Sequence, residues 1–324
     1  MSFPPFTITP QILLHLLAIQ EVLGELKAVS LLKPSLKLRR ETKIKTIRHS
    51  LAIEGNDLDP SVITAIIDNK RVLGPTQQIQ EIKNAVTVYH DLAKINPLKS
   101  KELLRVHGLL MAGLVSSAGK WREKNVGILK GKKISHVAPQ ARRVPELMAN
   151  LFEFLNKDKE TPLLVRACVF HYELEFIHPF EDGNGRIGRL WQQLILMRHS
   201  PVFEFLSVES LIHEEQKRYY EALEKSDRAG DSTAFIDFSL RLILQSLEEF
   251  RDTFRPKPLS ANDRLELAQG HFLEQDFSRR DYLSLHKQIS TATASRDLAH
   301  GVELGRLHMK GEKALTLYRF KASK

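Results

Sequence analysis

The stretch HPFEDGNGRIGR, residues 178–189, crowds a histidine, two acids, three glycines and two arginines into one segment. Each of these types has a chemical use. His178 titrates near neutral pH and can take a proton from a hydroxyl. Asp182 can hold Mg²⁺, which usually takes one or two carboxylates together with phosphate oxygens. Gly183 and Gly185 let the backbone approach an anion, and Arg186 and Arg189 offer forked donors that match phosphate oxygens. The segment also contains Gly183-x-Gly185-x-x-Gly188, the spacing of a dinucleotide-binding turn.

Context decides between these uses. A dinucleotide-binding turn follows a buried strand, whereas TPLLVRACVFHYELEFI before His178 carries helical spacing and two internal acids. Pro179 disfavours helical geometry at His178, and RIGRLWQQLILMRH resumes an apolar helical stripe, so the pattern predicts helix, tight loop, helix. Arg186 and Arg189 then stand three apart in the first turn, where bare N–H groups and the helix dipole already favour an anion. Two cations there repel the helix that carries them. The placement makes sense where a polyanion such as a triphosphate fills the loop.

The elements that must position this loop are mostly helical. Apolar residues recur at three- and four-residue spacing from ITPQILLHLLAIQEVLGELKAV to about residue 250. Strand signals occur in VGILKGKKISHVAP (126–139) and in LGRLHMKGEKALTLYRF (304–320), each reading as a small hairpin. FRPKPLSAND (254–263) reads as a linker because its two prolines cannot continue a helix. With 48 Lys+Arg against 39 Asp+Glu the chain is basic at +9, which favours anionic partners without naming one. Cys168 is the only cysteine and sits in an apolar run, so it predicts a core thiol and excludes an intrachain disulfide. No apolar stretch approaches the ~20 residues of a membrane span and MSFPPFTITP lacks the parts of a signal peptide, so no membrane partner and a cytoplasmic location are expected. His171 and His178 lack HExxH spacing and a third ligand, so a metal site built from them is rejected; Trp121 and Trp191 are expected to bury apolar area.

His178, Pro179, Phe180, Asp182, Gly183, Asn184, Gly185, Arg186 and Arg189 together resemble the Fic family signature HPFx[D/E]GNGRxxR. The resemblance implies a mainly α fold, a helical core with a β-hairpin flap, and transfer of AMP from ATP to a hydroxyl side chain of a target protein, itself included. It makes His178 the general base and Asp182 the Mg²⁺ ligand. Gly183, Asn184 and Gly185 become the phosphate cradle, with Arg186 on the outer phosphates. Relatives that phosphorylate carry a lysine where Gly185 stands here, which favours nucleotidyl transfer. SLAIEGN (50–56) resembles the family's inhibitory motif [S/T]xxxE[G/N], with Ser50, Glu54 and Gly55 in place. This implies that Glu54 pairs with Arg189 and keeps the ATP γ-phosphate from settling, and in some relatives the same glutamate orients water to remove AMP. By the same resemblance Ile134 and Val137 belong to the target-binding flap, and Tyr219 and Tyr220 to the nucleoside pocket. Asp227 stands where relatives often carry asparagine.

Residues 263–324 resemble a winged helix-turn-helix domain, with a recognition helix starting near Ser290, Thr291, Thr293 and Arg296 exposed, and KGEK as the wing. With 12 Lys+Arg against 8 Asp+Glu over 256–324 the unit is only mildly basic, which leaves DNA contact and protein interaction or homodimerisation both open. The organisation expected is therefore an N-terminal helical region with the inhibitory helix (1–98), a catalytic core (99–253), a linker (254–262) and the winged-helix domain (263–324). The competing function is a DNA-binding transcriptional regulator whose Fic core senses nucleotide.

Overall fold

The structure, a computed structural model, describes residues 3–29, 36–130, 133–254, 259–311 and 316–321. It divides into two compact units, Met1–Phe254 and Arg255–Lys324. Pro256 and Pro258 of the expected linker lie outside the described residues, as do both hairpin tips.

The first unit is helical apart from one hairpin. Its helices are α1 (Pro10–Val29), α2 (Leu36–Ile53), α3 (Pro60–Ile67), α4 (Thr76–His90) and α5 (Ser100–Leu110). After β1 (Gly127–Lys130) and β2 (Lys133–Val137) come α6 (Val144–Lys157), α7 (Leu163–Ile177), α8 (Asn184–His199), α9 (Val208–Glu214), α10 (Gln216–Ala229) and α11 (Thr233–Asp252). The β1–β2 pair is antiparallel with an irregularity between Ile128 and Leu129. No helix among the described residues is long and apolar enough to cross a membrane.

The centre of this unit is the α7–α8 pair. Apolar or small residues run along most of α7, and Val165, Ala167, Cys168, Val169 and Phe170 are all buried, as an element surrounded by others requires. Close approach of the two helices needs Gly188: a Cβ there would lie 3.1 Å from the His171 ring and 3.2 Å from the Glu175 carboxylate. On α8, Trp191 is fully buried and donates its indole N–H to the Pro97 carbonyl at 3.0 Å. Burying a side chain of this size stabilises by about 2–3 kcal/mol, with its polar atom satisfied. Around the pair, α1 lies along α11, and α2 packs on α3, α4 and α9 with its Ile47 and Leu51 in the common core. The N-terminal helices thus share one core with residues 99–253.

The second unit has its own small core of Leu265, Phe277, Tyr282, Leu298, Leu307 and Phe320. Its helices are α12 (Ala261–Phe272), α13 (Arg279–Leu285) and α14 (Thr291–Glu303), and its strands β3 (Phe277–Ser278), β4 (Leu307–Lys310) and β5 (Leu317–Phe320) form an antiparallel sheet in the order β3-β5-β4. Ser260 with Asp263 and Ser278 with Asp281 form capping boxes that fix where α12 and α13 start. Ser290 caps α14 by accepting the Thr293 N–H. Thr291 and Arg296 are exposed, whereas Thr293 is half-buried because its hydroxyl lies 3.0 Å from Ser290 Oγ within that cap. Inside, Arg264 grips Asp297 through two bonds of 2.6 and 2.8 Å.

Because each unit owns a core, a chain ending at Phe254 is expected to be soluble and to melt in one cooperative transition. Aggregation of that fragment, or loss of its sharp melt, would show that the first unit needs residues 255–324 to fold.

Candidate active site

Residues 178–183 link α7 to α8. His178 is the C-cap of α7 and takes φ 49° and ψ 60°, a left-handed conformation that costs a non-glycine residue roughly 1–2 kcal/mol. Three bonds hold it there. Its N–H donates to Leu174 O at 2.9 Å, its carbonyl accepts from Arg122 Nε at 2.7 Å, and the Arg122 N–H donates to Pro179 O at 2.9 Å. Arg122 is itself buried and spends its guanidinium on backbone carbonyls, reaching Ile177, Pro139 and Lys124. One side chain thereby ties the end of α7 to residues on both flanks of the β1–β2 hairpin. Burial pushes its pKa down.

Two more residues shape the loop. Asn184 accepts from the Phe180 N–H at 2.9 Å and donates to the Phe180 carbonyl at 3.0 Å, so its side chain closes the turn while its own N–H faces the first turn of α8. His107, on α5, accepts the Gly119 N–H on Nδ1 at 3.0 Å, which leaves Nε2 to donate to Asp182 O at 2.9 Å. Its ring stacks on Phe180 with centroids 3.6 Å apart. Burial pushes the His107 pKa down to about 4 against the pull of the Asp182 carbonyl, which keeps this tautomer neutral. Gly183 is the N-cap of α8 at φ 82°, and a Cβ there would strike Met111 Sδ at 2.6 Å. Any other residue here would take on both backbone strain and that clash.

Arg186 in the first turn and Arg189 in the second are each met by carboxylates from outside α8. Arg186 Nη2 lies 3.4 Å from both Asp182 oxygens, and its Nη1 lies 3.5 Å from Glu81 Oε1 on α4. Asn56 holds the other Glu81 oxygen at 2.7 Å. Arg189, 3 % exposed, donates through Nη2 to Glu54 Oε1 at 2.8 Å and to the Ser50 carbonyl at 3.1 Å. Burial works against its charge, but Glu54 together with Tyr219 and Glu175 outweighs it and holds the pKa above the ordinary arginine value. Glu54 follows the last residue of α2, and its Oε1 lies 2.6 Å from where a Cβ on Gly185 would stand. The carboxylate therefore rests on the first turn of α8, and only glycine at 185 leaves it room.

Other sequence candidates spread out from this centre. Tyr219 is 1 % exposed, and its hydroxyl meets His171 Nε2 at 3.1 Å in a buried chain that runs on to Gln192 and Ser239. Burial pushes His171 down to about 3, and Cys168 up to about 12. Tyr220 is exposed next to Tyr219 and offers a free face. Asp227 accepts from the Tyr172 hydroxyl at 2.9 Å, and burial with Asp227's charge lifts Glu173 to about 7. The β2 backbone carries Ile134 and Val137, but their side chains lie outside the described residues. Among the described residues no group of three or more His, Cys, Asp or Glu could hold a metal by itself. Asp182, with its side chain 57 % exposed, suits an ion that takes one carboxylate and completes its shell from phosphate oxygens and water.

Sequence spacing did not single out Arg122, His107 or Glu81. The neutral state of His107 makes loop stability sensitive to acid. Its folded pKa of about 4 lies below the usual 6.5, so its contribution is complete above the usual value and is lost as pH falls toward 4. His107→Phe keeps the stack on Phe180 and removes the titration. It is expected to lower the melting temperature at pH 7, since two hydrogen bonds worth about 1 kcal/mol each are lost, and to flatten the fall in melting temperature between pH 6.5 and 4. Parallel acid profiles for both proteins would remove His107 as the titrating group.

Comparison with known proteins agrees with this geometry. The sequence profile of the Fic/DOC family matches residues 97–196, which contain α5, the hairpin, the whole loop and most of α8. A crystal structure of a Fic family protein from Desulfovibrio desulfuricans G20 is 36 % identical, superimposes with a TM-score of 0.75, and is covered over 99 % of its length by 100 % of this chain. Protein adenylyltransferase fic-1 of Caenorhabditis briggsae is 30 % identical over 226 residues, which are 66 % of this chain and 42 % of the relative. Protein adenylyltransferase Fic of Nematostella vectensis is 29 % identical over 252 residues, 74 % of this chain and 56 % of the relative. The chain thus spans about half the length of the curated relatives it matches. With a profile that lands on the loop and its flanking helices, and a relative matched from end to end, this chain belongs to the Fic family.

Proposed function

We propose that this chain is a protein adenylyltransferase, moving AMP from ATP to a hydroxyl side chain of a target protein or of itself, and that Glu54 restrains it. The adenylyltransferase names of its relatives support the reaction class. The observation that carries the restraint is the Glu54 carboxylate, seated between Gly185 and Arg189 on the turn where a phosphate would lie.

In this reading His178 takes the proton from the target hydroxyl, and the oxygen attacks the α-phosphorus. The bond from that phosphorus to the α–β bridging oxygen breaks, and pyrophosphate leaves. Backbone N–H groups of the first turn of α8 receive the α-phosphate, with Asn184 contributing its N–H and the closed loop rather than its amide side chain. Arg186 holds the outer phosphates. Mg²⁺ on Asp182 would offset phosphate charge during transfer. Tyr220 offers the nucleoside a ring to rest on, and the hairpin edge offers the target a strand to pair with. Removal of AMP, with Glu54 orienting water, belongs to the same proposal. For residues 263–324 we keep the winged-helix reading, which the β3-β5-β4 order and the Ser290-capped α14 support.

His178→Ala is expected to abolish self-labelling by radioactive ATP while ATP affinity stays within a few-fold of wild type, because a lost base removes ~10²–10⁴-fold in rate and no phosphate contact. Parallel collapse of affinity would assign His178 to binding instead.

Glu54→Gly is expected to raise self-labelling by ~10–100-fold, as a misaligned phosphate costs about that much, and to lower the melting temperature in the absence of ATP because buried Arg189 loses its partner, while Ile47, Leu51 and Ile53 keep α2 in place. Adding Arg189→Ala should return most of that gain. Equal labelling by wild type and Glu54→Gly would leave the Glu54–Arg189 pair a structural contact only.

A further inference from the structure

A second polar site lies against the helix that ends at Glu54. Arg39, Lys43 and Thr46 stand at i, i+4 and i+7 on α2 and line one wall of a cavity of about 160 Å³. The end of α4 and the turn after it supply Tyr89 to Lys94, α8 supplies Gln193, and the 3₁₀ turn Pro201–Phe205 supplies Glu204. At the ~30 Å³ that one water occupies in the liquid, the space suits a small ion or several waters.

The polar groups facing it are unevenly matched. Asp91 pairs with Lys94 at 2.8 Å and Glu204 with Arg39 at 3.1 Å, so both acids already have cations. Lys43 makes no ion pair among the described residues, and burial pushes its pKa down, with Arg39 adding to the effect against the opposing pull of Glu204 and Asp91. Thr46 Oγ1 and Gln193 Oε1 are buried with no hydrogen-bond partner, in side chains only 2 % and 7 % exposed. A buried polar atom left unmatched costs about 1–3 kcal/mol, so two in one cavity wall point to something that bonds them. The requirements are specific. Lys43 and Thr46 can donate to an anion, whereas the Gln193 carbonyl oxygen needs a donor. A carboxylate or sulfate lacks that donor, and a phosphate that keeps one hydroxyl has it.

We infer that this cavity binds a small hydroxyl-bearing oxyanion, namely hydrogen phosphate or a phosphate monoester, and that occupancy steadies the Glu54–Arg189 contact. The ligand would bridge α2 to α8, the two helices that carry Glu54 and Arg189. Thr46 lies one turn before Ser50, whose carbonyl bonds Arg189, and Ser50 lies one turn before Glu54. The binding half stands on the cavity alone; the regulatory half rests on the adenylyl-transfer reading.

The test is equilibrium binding of radiolabelled inorganic phosphate at fixed ionic strength. Arg186→Ala serves as the background, so that the glycine loop does not contribute. Binding is expected to persist there and to weaken ~10-fold or more on adding Lys43→Gln, one charged hydrogen bond being worth about that factor. The near-isosteric Thr46→Val should weaken it several-fold, and sulfate should compete poorly. Phosphate binding that ignores both substitutions, or sulfate binding as tightly as phosphate, overturns the site. For the regulatory half, phosphate should slow self-labelling by wild type at least twofold more than labelling by Lys43→Gln. Equal slowing of both overturns the coupling. No labelling even by Glu54→Gly would instead reject the adenylyl-transfer reading and leave the binding result standing.

Discussion

A guanidinium removed from water needs a counter-charge or a full set of carbonyl acceptors, and Arg189, unlike Arg122, is met by a carboxylate that its surroundings must bring to it. Taking an ion out of water costs several kcal/mol, and losing the partner of a buried pair typically costs about 3–5 kcal/mol. Glu54 meets the need at 2.8 Å, and to do so the end of α2 must reach the first turn of α8. Glycine at 185 leaves room for that carboxylate in its observed position, since a Cβ there would lie 2.6 Å from Glu54 Oε1. The pair is also asymmetric. Arg189 shows 2 % of its side-chain surface and Glu54 shows 33 %, so the cation is fixed while its partner can be reached and replaced from solvent. A buried cation with an exchangeable anion is a socket, and a triphosphate is a stronger anion than a carboxylate.

The socket is useful only if the loop beside it keeps its shape without a ligand. That shape rests on neutral or backbone-directed contacts. Asn184 closes the turn, His107 holds the Asp182 carbonyl as an uncharged ring, and Arg122 turns its charge wholly onto carbonyls. None of these groups competes for an incoming phosphate. The strained φ of His178 is therefore set without a ligand, which on the proposed reading is what pre-organised catalysis asks of a scaffold.

The helix–loop–helix around His178 was legible because its residue types are unusual at their positions: a proline after a helix-final histidine, three glycines in six residues, arginines at the wrong end of a dipole. Each violates a local rule, and a violation carries information. Glu54 was legible only beside the family signature, being otherwise one acid among many on helical segments. Arg122, His107 and Glu81 obey every local rule. They look like ordinary members of helical or turn segments, and their roles arise from distant carbonyls and charges that only the folded chain brings near. Tyr219 shows the same limit from the other side, since its type suits a ligand pocket while its hydroxyl is taken up by His171 in the core. The two-residue strand β3 is too short to leave any alternation to read.

Glu54 is not the only acid near Arg189. Glu209 is buried behind it, bonded by the Tyr89 hydroxyl at 3.3 Å, and its pKa is raised because burial outweighs the pull of Arg189. A carboxyl that burial biases toward its neutral form is a poor counter-ion. Glutamates thus surround this arginine, Glu175 among them, and solvent access divides the roles of Glu209 and Glu54. The enclosed one bonds a tyrosine and stays in the core, and the accessible one carries the charge. Withdrawal of α2 would take the Glu54 carboxylate from Arg189, so on the proposed reading the state without Glu54 favours an external anion in its place. On the proposed reading this is why restraint and nucleotide binding converge on one side chain: the same desolvation that holds Glu54 in the resting site favours a phosphate there once Glu54 has left.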